Sequence, residues 1–226
     1  MTTASFSPSS RNRLTHHDLG RFSSDTLFDR IARVVCETEC LPRKELYEAW
    51  EVARRTRRLF RGGRVVDLGG GHGLVAHIML LLDNSSPSAV VVDPVVPESA
   101  VTLNEALARA WPRLVDRVTY LSQRMEATDL TAADLIVSCH ACGALTDLVL
   151  AQAVAAGARV AVLPCCHDLD SCDPGALAGW MDPSLAIDAM RVMRLQQRGY
   201  RVRTQTIPAT ITPKNRLLLG EPCYLR

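Results

Sequence analysis

The sequence predicts an α/β protein with a seven-stranded, mainly parallel sheet, helices on both faces of the sheet and an antiparallel hairpin at the C-terminus. From residue 64 onward, short apolar runs alternate with helical patterns. The runs are apolar at nearly every position, as in strands that are buried on both faces. After the last helical pattern, two strand patterns follow each other directly, which favours a terminal hairpin.

Capping residues and hydrophobic periodicity set the predicted elements. Ser23 or Ser24 is expected to cap the first helix, Pro42 stands near the first turn of the second, and glycines 62–63 end it. The predicted helices are 23–37, 43–60, 74–82, 98–111, 145–156 and 184–198, and the predicted strands are 64–67, 88–92, 117–121, 135–137, 160–164, 200–207 and 216–223. Residues 1–22 lack apolar periodicity and are expected to form a flexible arm before a helical segment, 23–62, and an α/β domain, 63–226.

Length and composition indicate an ordinary globular protein. The 226 residues suit one domain with a substantial core. No stretch approaches the roughly 20 apolar residues of a membrane span, and the polar N-terminus lacks the apolar core of a signal peptide. We therefore expect a cytoplasmic protein without membrane contact, whose eight cysteines are thiols or ligands rather than disulfides.

A glycine-rich turn follows the first predicted strand. Asp67 stands at the end of that strand, and Gly69, Gly71 and Gly73 alternate through the turn into an apolar helix. Such a turn lets a ligand approach bare backbone and the free N–H groups of the helix. The third glycine of the dinucleotide pattern G-x-G-x-x-G would fall on Leu74, which disfavours that class. The pattern resembles motif I of the S-adenosylmethionine (SAM)-dependent methyltransferases; a glycine turn of another Rossmann-like protein is the alternative.

This resemblance implies a SAM site at the carboxyl ends of the predicted strands. Asp67 would lie near the methionine amino group, and Asp93, at the end of the second strand, would accept the ribose hydroxyls. Residues 122–126, after the third strand, would lie beside the adenine. The predicted SAM-binding residues are Asp67, Gly69, Gly70, Gly71, His72, Gly73, Asp93, Pro94, Glu126 and Ser138.

Cysteines and histidines cluster after the fourth and fifth predicted strands. Residues 139–143 read Cys-His-Ala-Cys-Gly and residues 164–168 read Pro-Cys-Cys-His-Asp, so both clusters should face the cleft of the glycine turn. Three interpretations stay open: a zinc site, a thioredoxin-like redox pair, or a substrate site in which histidines orient or deprotonate the acceptor. Thiols packed as small apolar groups are a fourth.

We favour the substrate site and keep zinc as an alternative. The candidate catalytic residues are His140, His167, Cys139 and Cys166, and the candidate zinc ligands are Cys139, Cys142, Cys165 and His167. Because Cys165 and Cys166 are adjacent, they are expected to point in different directions, so that only one of them would ligate.

The two clusters resemble the paired C-x-x-C-G and C-C-H signatures of a methyltransferase family. That family includes the eukaryotic tRNA 2′-O-methyltransferase of acceptor-stem position 4, and the similarity covers roughly residues 60–170. It implies that 63–226 is a SAM-dependent methyltransferase domain. It also implies a family site made of Cys139, His140, Cys142, Cys165, Cys166 and His167. The eukaryotic enzyme carries N-terminal zinc-finger segments, whereas residues 1–60 contain only Cys36 and Cys40, so the substrate stays open.

Charge is distributed unevenly around a net value of +2. Residues 43–64 hold eight basic and three acidic side chains, residues 65–190 hold five and fifteen, and residues 191–226 hold eight and one. The arginine-rich segments 43–64 and 191–216 would suit RNA, with solvated helix faces as the alternative. We expect a SAM-dependent methyltransferase of RNA, with a tRNA ribose 2′-hydroxyl as candidate acceptor. The alternatives are methylation of a small molecule or protein side chain, and a non-catalytic nucleotide- or metal-binding module.

Overall fold

The structure is a computed structural model that describes residues 6–223. The helices are α1 (Leu27–Thr38), α2 (Arg43–Leu59), α3 (Leu74–Leu82), α4 (Glu98–Ala110), α5 (Ala144–Ala156) and α6 (Pro183–Gln197). The strands are β1 (Val65–Leu68), β2 (Ala89–Asp93), β3 (Val118–Ser122), β4 (Leu135–Ser138), β5 (Arg159–Val162), β6 (Tyr200–Thr206) and β7 (Arg216–Pro222). Short 3-10 helices span His16–Arg21, Pro112–Leu114, Met125–Ala127 and Gly175–Gly179.

All seven strands form one sheet, in the order β3-β2-β1-β4-β5-β7-β6. Strands β1 to β5 are parallel, and β7 runs antiparallel to both of its neighbours, β5 and β6. The predicted α/β class and the C-terminal hairpin are therefore confirmed. The strand order reverses between β1 and β4, and the carboxyl ends of such a pair open a crevice in which ligands of α/β proteins bind.

The sheet divides the core into two apolar layers. Alternate side chains of a strand point to opposite faces. Val65 of β1 packs with residues of α1 to α4, whereas Val66 packs with residues of α5 and α6. Both faces are covered by helices, as predicted, and this explains why the strands are apolar at nearly every position.

Helices α1 and α2 extend the first layer, because α2 packs against α3 and α1 against α4. The N-cap of α1 is Thr26, whose hydroxyl accepts the Asp29 N–H at 3.2 Å. The prediction of Ser23 or Ser24 at this position is wrong, because the Ser24 hydroxyl accepts the Thr26 N–H instead. None of the helices in residues 6–223 is long and apolar enough to cross a bilayer.

Residues 6–22 lie against the helical segment, which differs from the loose arm expected from their composition. Leu14 is fully buried, and its N–H donates to the Leu41 carbonyl at 3.0 Å. Arg13 and Pro42 add an isolated antiparallel bridge. The sequence did not predict this packing, because Leu14 has no apolar neighbours in the chain with which it would form a periodic pattern. Residues 1–5 of the expected arm lie outside the described residues, and the boundaries at 22 and 62 remain a proposal.

Candidate active site

A cavity of about 520 Å³ opens at the carboxyl edge of the sheet, above the glycine turn. We call it the main cavity. The predicted site residues that line it are Asp67, Gly69, Gly70, Gly71, His72, Asp93, Pro94, Glu126 and His140. The turn after β1 and the ends of β2 and β4 therefore converge on one space, as the parallel strand order requires.

Close packing holds the glycine turn in place. Gly73 has a φ of +72°, and a Cβ there would lie 2.7 Å from Val91 and 2.9 Å from the Tyr120 hydroxyl oxygen. That hydroxyl donates to the His72 carbonyl at 2.9 Å. The contact ties the turn to β3.

Asp67 is the most unusual group in the main cavity. It is 1% exposed, and neither carboxylate oxygen makes a hydrogen bond of ordinary geometry within the described chain. A Cβ on Gly70 would lie 2.7 Å from its Cγ, so only glycine fits beside it. Burial, partly offset by the nearby Ala76 amide, raises the pKa of Asp67 to about 7. A buried carboxylate without partners is costly, and a cationic ligand in the cavity would compensate for that cost.

Asp93 supplies a second carboxylate to the main cavity. Its Oδ2 accepts the Gly71 N–H at 3.2 Å and its Oδ1 accepts the Val95 N–H at 3.0 Å. Each oxygen keeps lone pairs for further donors, as a ribose diol would need. Glu126 lines the cavity nearby and forms an ion pair with Arg124 at 3.0 Å.

Two predicted SAM ligands support the cavity without lining it. Gly73 lies behind the turn as the N-cap of α3. Ser138 is buried, and its hydroxyl donates to the Leu68 carbonyl at 2.6 Å. Since that bond consumes the hydroxyl proton and joins the ends of β1 and β4, Ser138 fixes the crevice rather than reaching into it.

A neighbouring cavity of about 550 Å³ shares Glu45 and His140 with the main cavity. We call it the side cavity. Its charged and sulfur-bearing lining residues are Arg11, Lys44, Glu45, Glu48, His140, Cys165, Cys166 and Lys214. His140 is exposed. The two cavities meet at an imidazole and a carboxylate, so groups held in the two spaces would face each other across them.

Glu45 was missed by the sequence analysis. It lies in the first turn of α2, and burial raises its pKa while the charge of His140 opposes the shift. Its only sequence signal was a position in the arginine-rich segment, which indicated a charged surface rather than a residue of the active site. Glu45 reaches the site through the packing of α2 against α3.

His167 lies elsewhere, although it was predicted beside His140. Its side chain is 1% exposed, and its Nε2 lies 2.8 Å from Asp188 Oδ1. Asp188 also pairs with Arg216 at 2.6 Å and with Arg191 at 3.2 Å. His167 lines neither cavity. It holds the loop after β5 against α6 and β7.

The cysteines separate into buried and clustered groups. Cys139 is 2% exposed, lines neither cavity, and burial raises its pKa well above the ordinary value. The sulfurs of Cys142, Cys165 and Cys166 lie within 4.8 Å of one another. Of the predicted zinc set, the structure therefore brings Cys142 and Cys165 together and leaves Cys139 and His167 apart.

Cys166 joins the cluster against the expectation that only one of the adjacent cysteines could. Side chains alternate only within a strand, and β5 ends at Val162. The loop beyond it turns, and the Gly143 N–H donates to the Cys166 carbonyl at 3.3 Å. Burial raises the pKa of Cys165 and of Cys142, so these thiols are weakened as nucleophiles at neutral pH.

Most arginines of the predicted RNA-binding segments are committed to internal contacts. In segment 43–64, Arg57 is buried and donates to the Ser86 hydroxyl at 2.7 Å, and Arg64 pairs with Asp134 at 2.8 Å. Both lie at the amino edge of the sheet, opposite the cavities. In segment 191–216, Arg191 is fully buried and pairs with Asp147 at 2.7 Å. The cations that line the side cavity are Lys44 and Lys214, one from each segment, and Arg11 from outside them; Lys44 pairs with Glu48 at 3.0 Å.

Comparison with known proteins identifies the family. A family model described as a methyltransferase domain matches residues 45–171, more than half of the chain. The chain belongs to this methyltransferase family. The glycine turn and both clusters, 139–143 and 164–168, fall inside the matched range, and so does Glu45.

Individual relatives are distant. The glutathione S-transferase C-terminal domain-containing protein homolog of Drosophila melanogaster is 24% identical over 199 residues, which cover 70% of this chain and 33% of the relative. The chain thus spans about a third of the length of the curated relatives it matches. Among solved structures, the mitomycin 7-O-methyltransferase MmcR matches with a TM-score of 0.53 at 18% identity, covering 92% of this chain and 67% of that one. The M1A22 tRNA methyltransferase TrmK of B. subtilis matches with a TM-score of 0.52 at 13% identity. This match covers 76% of this chain and 66% of that one.

These neighbours establish the Rossmann-like methyltransferase fold, and their identities are too low to transfer a substrate. The chain contains a methyltransferase domain, whose fold implies SAM as the methyl donor. The residues present fit SAM. The unpartnered carboxylate of Asp67 suits its amino group, Asp93 suits its ribose, and the glycine turn leaves its backbone open to the ligand.

Proposed function

We propose that this protein transfers the methyl group of SAM to RNA, with a ribose 2′-hydroxyl as acceptor. The observation that carries the proposal is the junction of the two cavities at Glu45 and His140. One cavity fits the methyl donor. The other opens beside it and is lined by Arg11 and Lys214, whose cationic side chains suit phosphate, and by Lys44, which pairs with Glu48 at 3.0 Å.

In this proposal the main cavity binds the donor through fixed polar groups. Asp67 pairs with the cationic amino group, which supplies the partner that its buried carboxylate lacks. Asp93 accepts the ribose hydroxyls. SAM, when bound, supplies a methyl group on a cationic sulfur that departs with the electron pair of the broken carbon–sulfur bond.

His140 and Glu45 act on the acceptor. A hydroxyl oxygen that bonds to a methyl carbon must lose its proton, and both side chains line the side cavity as well as the main one. We assign the proton to the His140 imidazole, and the Glu45 carboxylate, which lines the same two cavities, favours the imidazolium that results. The two groups thereby position the acceptor and deprotonate it, which are the contributions that methyl transfer requires of the protein.

RNA is favoured as the acceptor by charge and by the paired cysteine motifs. The side cavity is open, and the cations that line it come from three separate stretches of the chain, as suits a backbone with several phosphates. The C-x-x-C-G and C-C-H motifs resemble those of the tRNA 2′-O-methyltransferase family. We extend the proposal to tRNA on that resemblance. All eight cysteines are free, which favours a reducing, cytoplasmic setting.

The test is incorporation of label from methyl-labelled SAM into RNA taken from cells that lack the gene. We expect a labelled RNA fraction whose nucleosides, separated by mass spectrometry, contain a 2′-O-methylated ribose. RNA from wild-type cells, already methylated, is the matched control and should accept less label. If the protein binds S-adenosylhomocysteine yet labels only small molecules or protein from the same cells, the RNA assignment is wrong and the alternative acceptor is identified by the labelled product.

A further inference from the structure

Three thiols gather where the loops after β4 and β5 meet. Cys142 comes from the first loop, and Cys165 and Cys166 come from the second. Their sulfurs lie within 4.8 Å of one another, and those of Cys142 and Cys165 are 2.8 Å apart. Within residues 6–223, the cluster that could hold a metal has these three members.

Packing does not account for this arrangement. A cysteine that serves as a small apolar group is buried, as Cys36 and Cys139 are. Cys142 and Cys166 are exposed, and Cys165 is half-buried. A disulfide between Cys142 and Cys165 would leave Cys166 without a role in the cluster. A ligand bound by all three sulfurs explains the whole set.

The spacing and chemistry of the cluster fit zinc. Zinc–thiolate bonds of about 2.3 Å in a tetrahedral site place the sulfurs roughly 3.8 Å apart, inside the limit observed here. The Cys142–Cys165 pair would widen by about 1 Å on binding. Sulfur donors select thiophilic ions such as zinc over calcium or magnesium.

We propose that Cys142, Cys165 and Cys166 bind one zinc ion as thiolates, with a fourth coordination position open to the side cavity. Cys165 and Cys166 line that cavity together with His140. Each bound thiol releases its proton to solvent, so up to three protons leave per zinc bound. Three protein ligands and an open position are the arrangement of a catalytic rather than a structural zinc site.

The open position gives the zinc a role in acceptor binding, and this part alone rests on the proposed function. A hydroxyl bound to zinc loses its proton more readily than a free one. A zinc ion at the cluster would therefore share with His140 the task of preparing the acceptor.

Metal analysis tests the site directly. The full chain, purified without chelators under a phosphine reductant, is expected to hold one zinc per molecule. Cobalt(II) substitution is expected to give thiolate-to-metal charge-transfer bands and the intense visible bands of a four-coordinate site. The variants C142S, C165S and C166S should each lower zinc affinity by about 100-fold or more, because each removes one of three thiolates.

Two variants serve as matched controls. C223S removes an exposed thiol outside the cluster, and C139A removes a ligand that the sequence alone suggested. Both should keep one zinc. Circular dichroism and S-adenosylhomocysteine affinity check that each variant is folded, and the wild-type cobalt spectrum decides the question even where a variant does not fold.

Any of three results would overturn the proposal. These are a zinc content below a tenth of an equivalent after reconstitution, an unchanged zinc affinity in C166S, and a Cys142–Cys165 disulfide in protein kept under reductant. If zinc binds and no RNA is methylated, the proposed function is wrong and the metal site stands. If RNA is methylated by a protein that binds no zinc, only the metal site is wrong.

Discussion

The main cavity and the side cavity share Glu45 and His140 but are built in different ways. The main cavity is built around one continuous turn, 69–72, and the carboxylates at the ends of β1 and β2, with other elements completing its walls. The side cavity takes its charged and sulfur-bearing side chains from five stretches that are distant in sequence, around residues 11, 44, 140, 165 and 214. A site made from a local turn leaves a local motif, whereas a site made from scattered side chains leaves none. This is why the donor is evident from the sequence and the acceptor is not.

The substitution expected to distinguish the two cavities most strongly lies at their junction. Replacing His140 with Gln should lower the rate of methyl transfer by about 100- to 10,000-fold, because it removes the group that takes the acceptor proton. S-adenosylhomocysteine affinity should stay within about twofold, since the donor is held by other residues. Rate assays and calorimetry on one preparation measure both.

The exposed His17 provides a control. His17→Gln should change neither the rate nor the affinity. If His140→Gln weakens donor binding as much as it slows the reaction, His140 belongs to the donor site. The assignment of donor and acceptor to separate cavities would then be wrong.

Asp67→Asn should affect the main cavity alone. The amide is nearly isosteric but carries no charge, so S-adenosylhomocysteine affinity should fall by about 10- to 100-fold, the range for a charged hydrogen bond. Calorimetry measures the change, and Glu105→Gln on the exposed face of α4 is the control. An unchanged affinity in Asp67→Asn would mean that the buried carboxylate has another purpose.

The pH dependence of donor binding follows from the raised pKa of Asp67. The group is protonated below about pH 7 and ionised above it. Affinity for a cationic amino group should therefore rise as the pH increases from 6 to 8. Over the same range, the contribution of Asp67 to the free energy of unfolding of the ligand-free protein should fall, because the folded state holds the Asp67 proton more tightly than the unfolded state does. Titrations of wild type and Asp67→Asn across this range test both signs, and both trends should be weaker in the variant.

Arg11→Gln and Lys214→Gln should produce a smaller effect, confined to the side cavity. Each loss of one phosphate contact should weaken RNA binding about fivefold and reduce the logarithmic salt slope by about 0.7. The matched control is Arg58→Gln, an exposed arginine of α2 near the amino edge of the sheet. Filter binding across a salt series measures all three. If Arg58→Gln weakens RNA binding as much as the other two variants do, the RNA-binding surface includes the arginine-rich helix α2 and is not confined to the side cavity.

The smallest effect on chemistry is expected at His167, whose role is structural. His167→Asn should lower the free energy of unfolding by about 1–3 kcal/mol, because it leaves buried groups without partners, and should leave donor affinity unchanged. Burial works to raise the pKa of Asp188, but hydrogen bonds from His167 and Arg216 outweigh it and hold that pKa below its ordinary value. The stabilisation from Asp188 is therefore present at neutral pH and is lost as the pH falls below about 4. Denaturant melts at pH 7 and pH 3 should differ less for the variant than for wild type.

Prediction from the sequence worked where a residue's role depends on its own neighbours in the chain. The strand–helix alternation predicted the sheet, and the spacing of Asp67 and the glycines predicted a turn that does line the main cavity. It failed where a role depends on packing between distant elements. Leu14 anchors residues 6–22 through the Leu41 carbonyl, and Glu45 reaches the site only because α2 lies on α3.

The cysteine and histidine clusters show both outcomes side by side. Both motifs lie in loops that reach the cavities: His140 and Cys165 line them, and Cys142 lies beside Cys165. They could not separate His140 from His167, because the difference is made by Asp188, which lies in α6 and is remote in sequence. The arginine-rich segments show the same limit, because the sequence does not reveal that Arg64 pairs with Asp134 and Arg191 with Asp147.

A crystal structure with S-adenosylhomocysteine bound is the most direct test of the division between the two cavities. We expect the amino group of the ligand beside Asp67, the ribose beside Asp93, and the sulfur facing the junction of Glu45 and His140. A ligand seated in the side cavity, or one whose sulfur faces away from His140, would contradict the assignment of donor and acceptor to these two spaces.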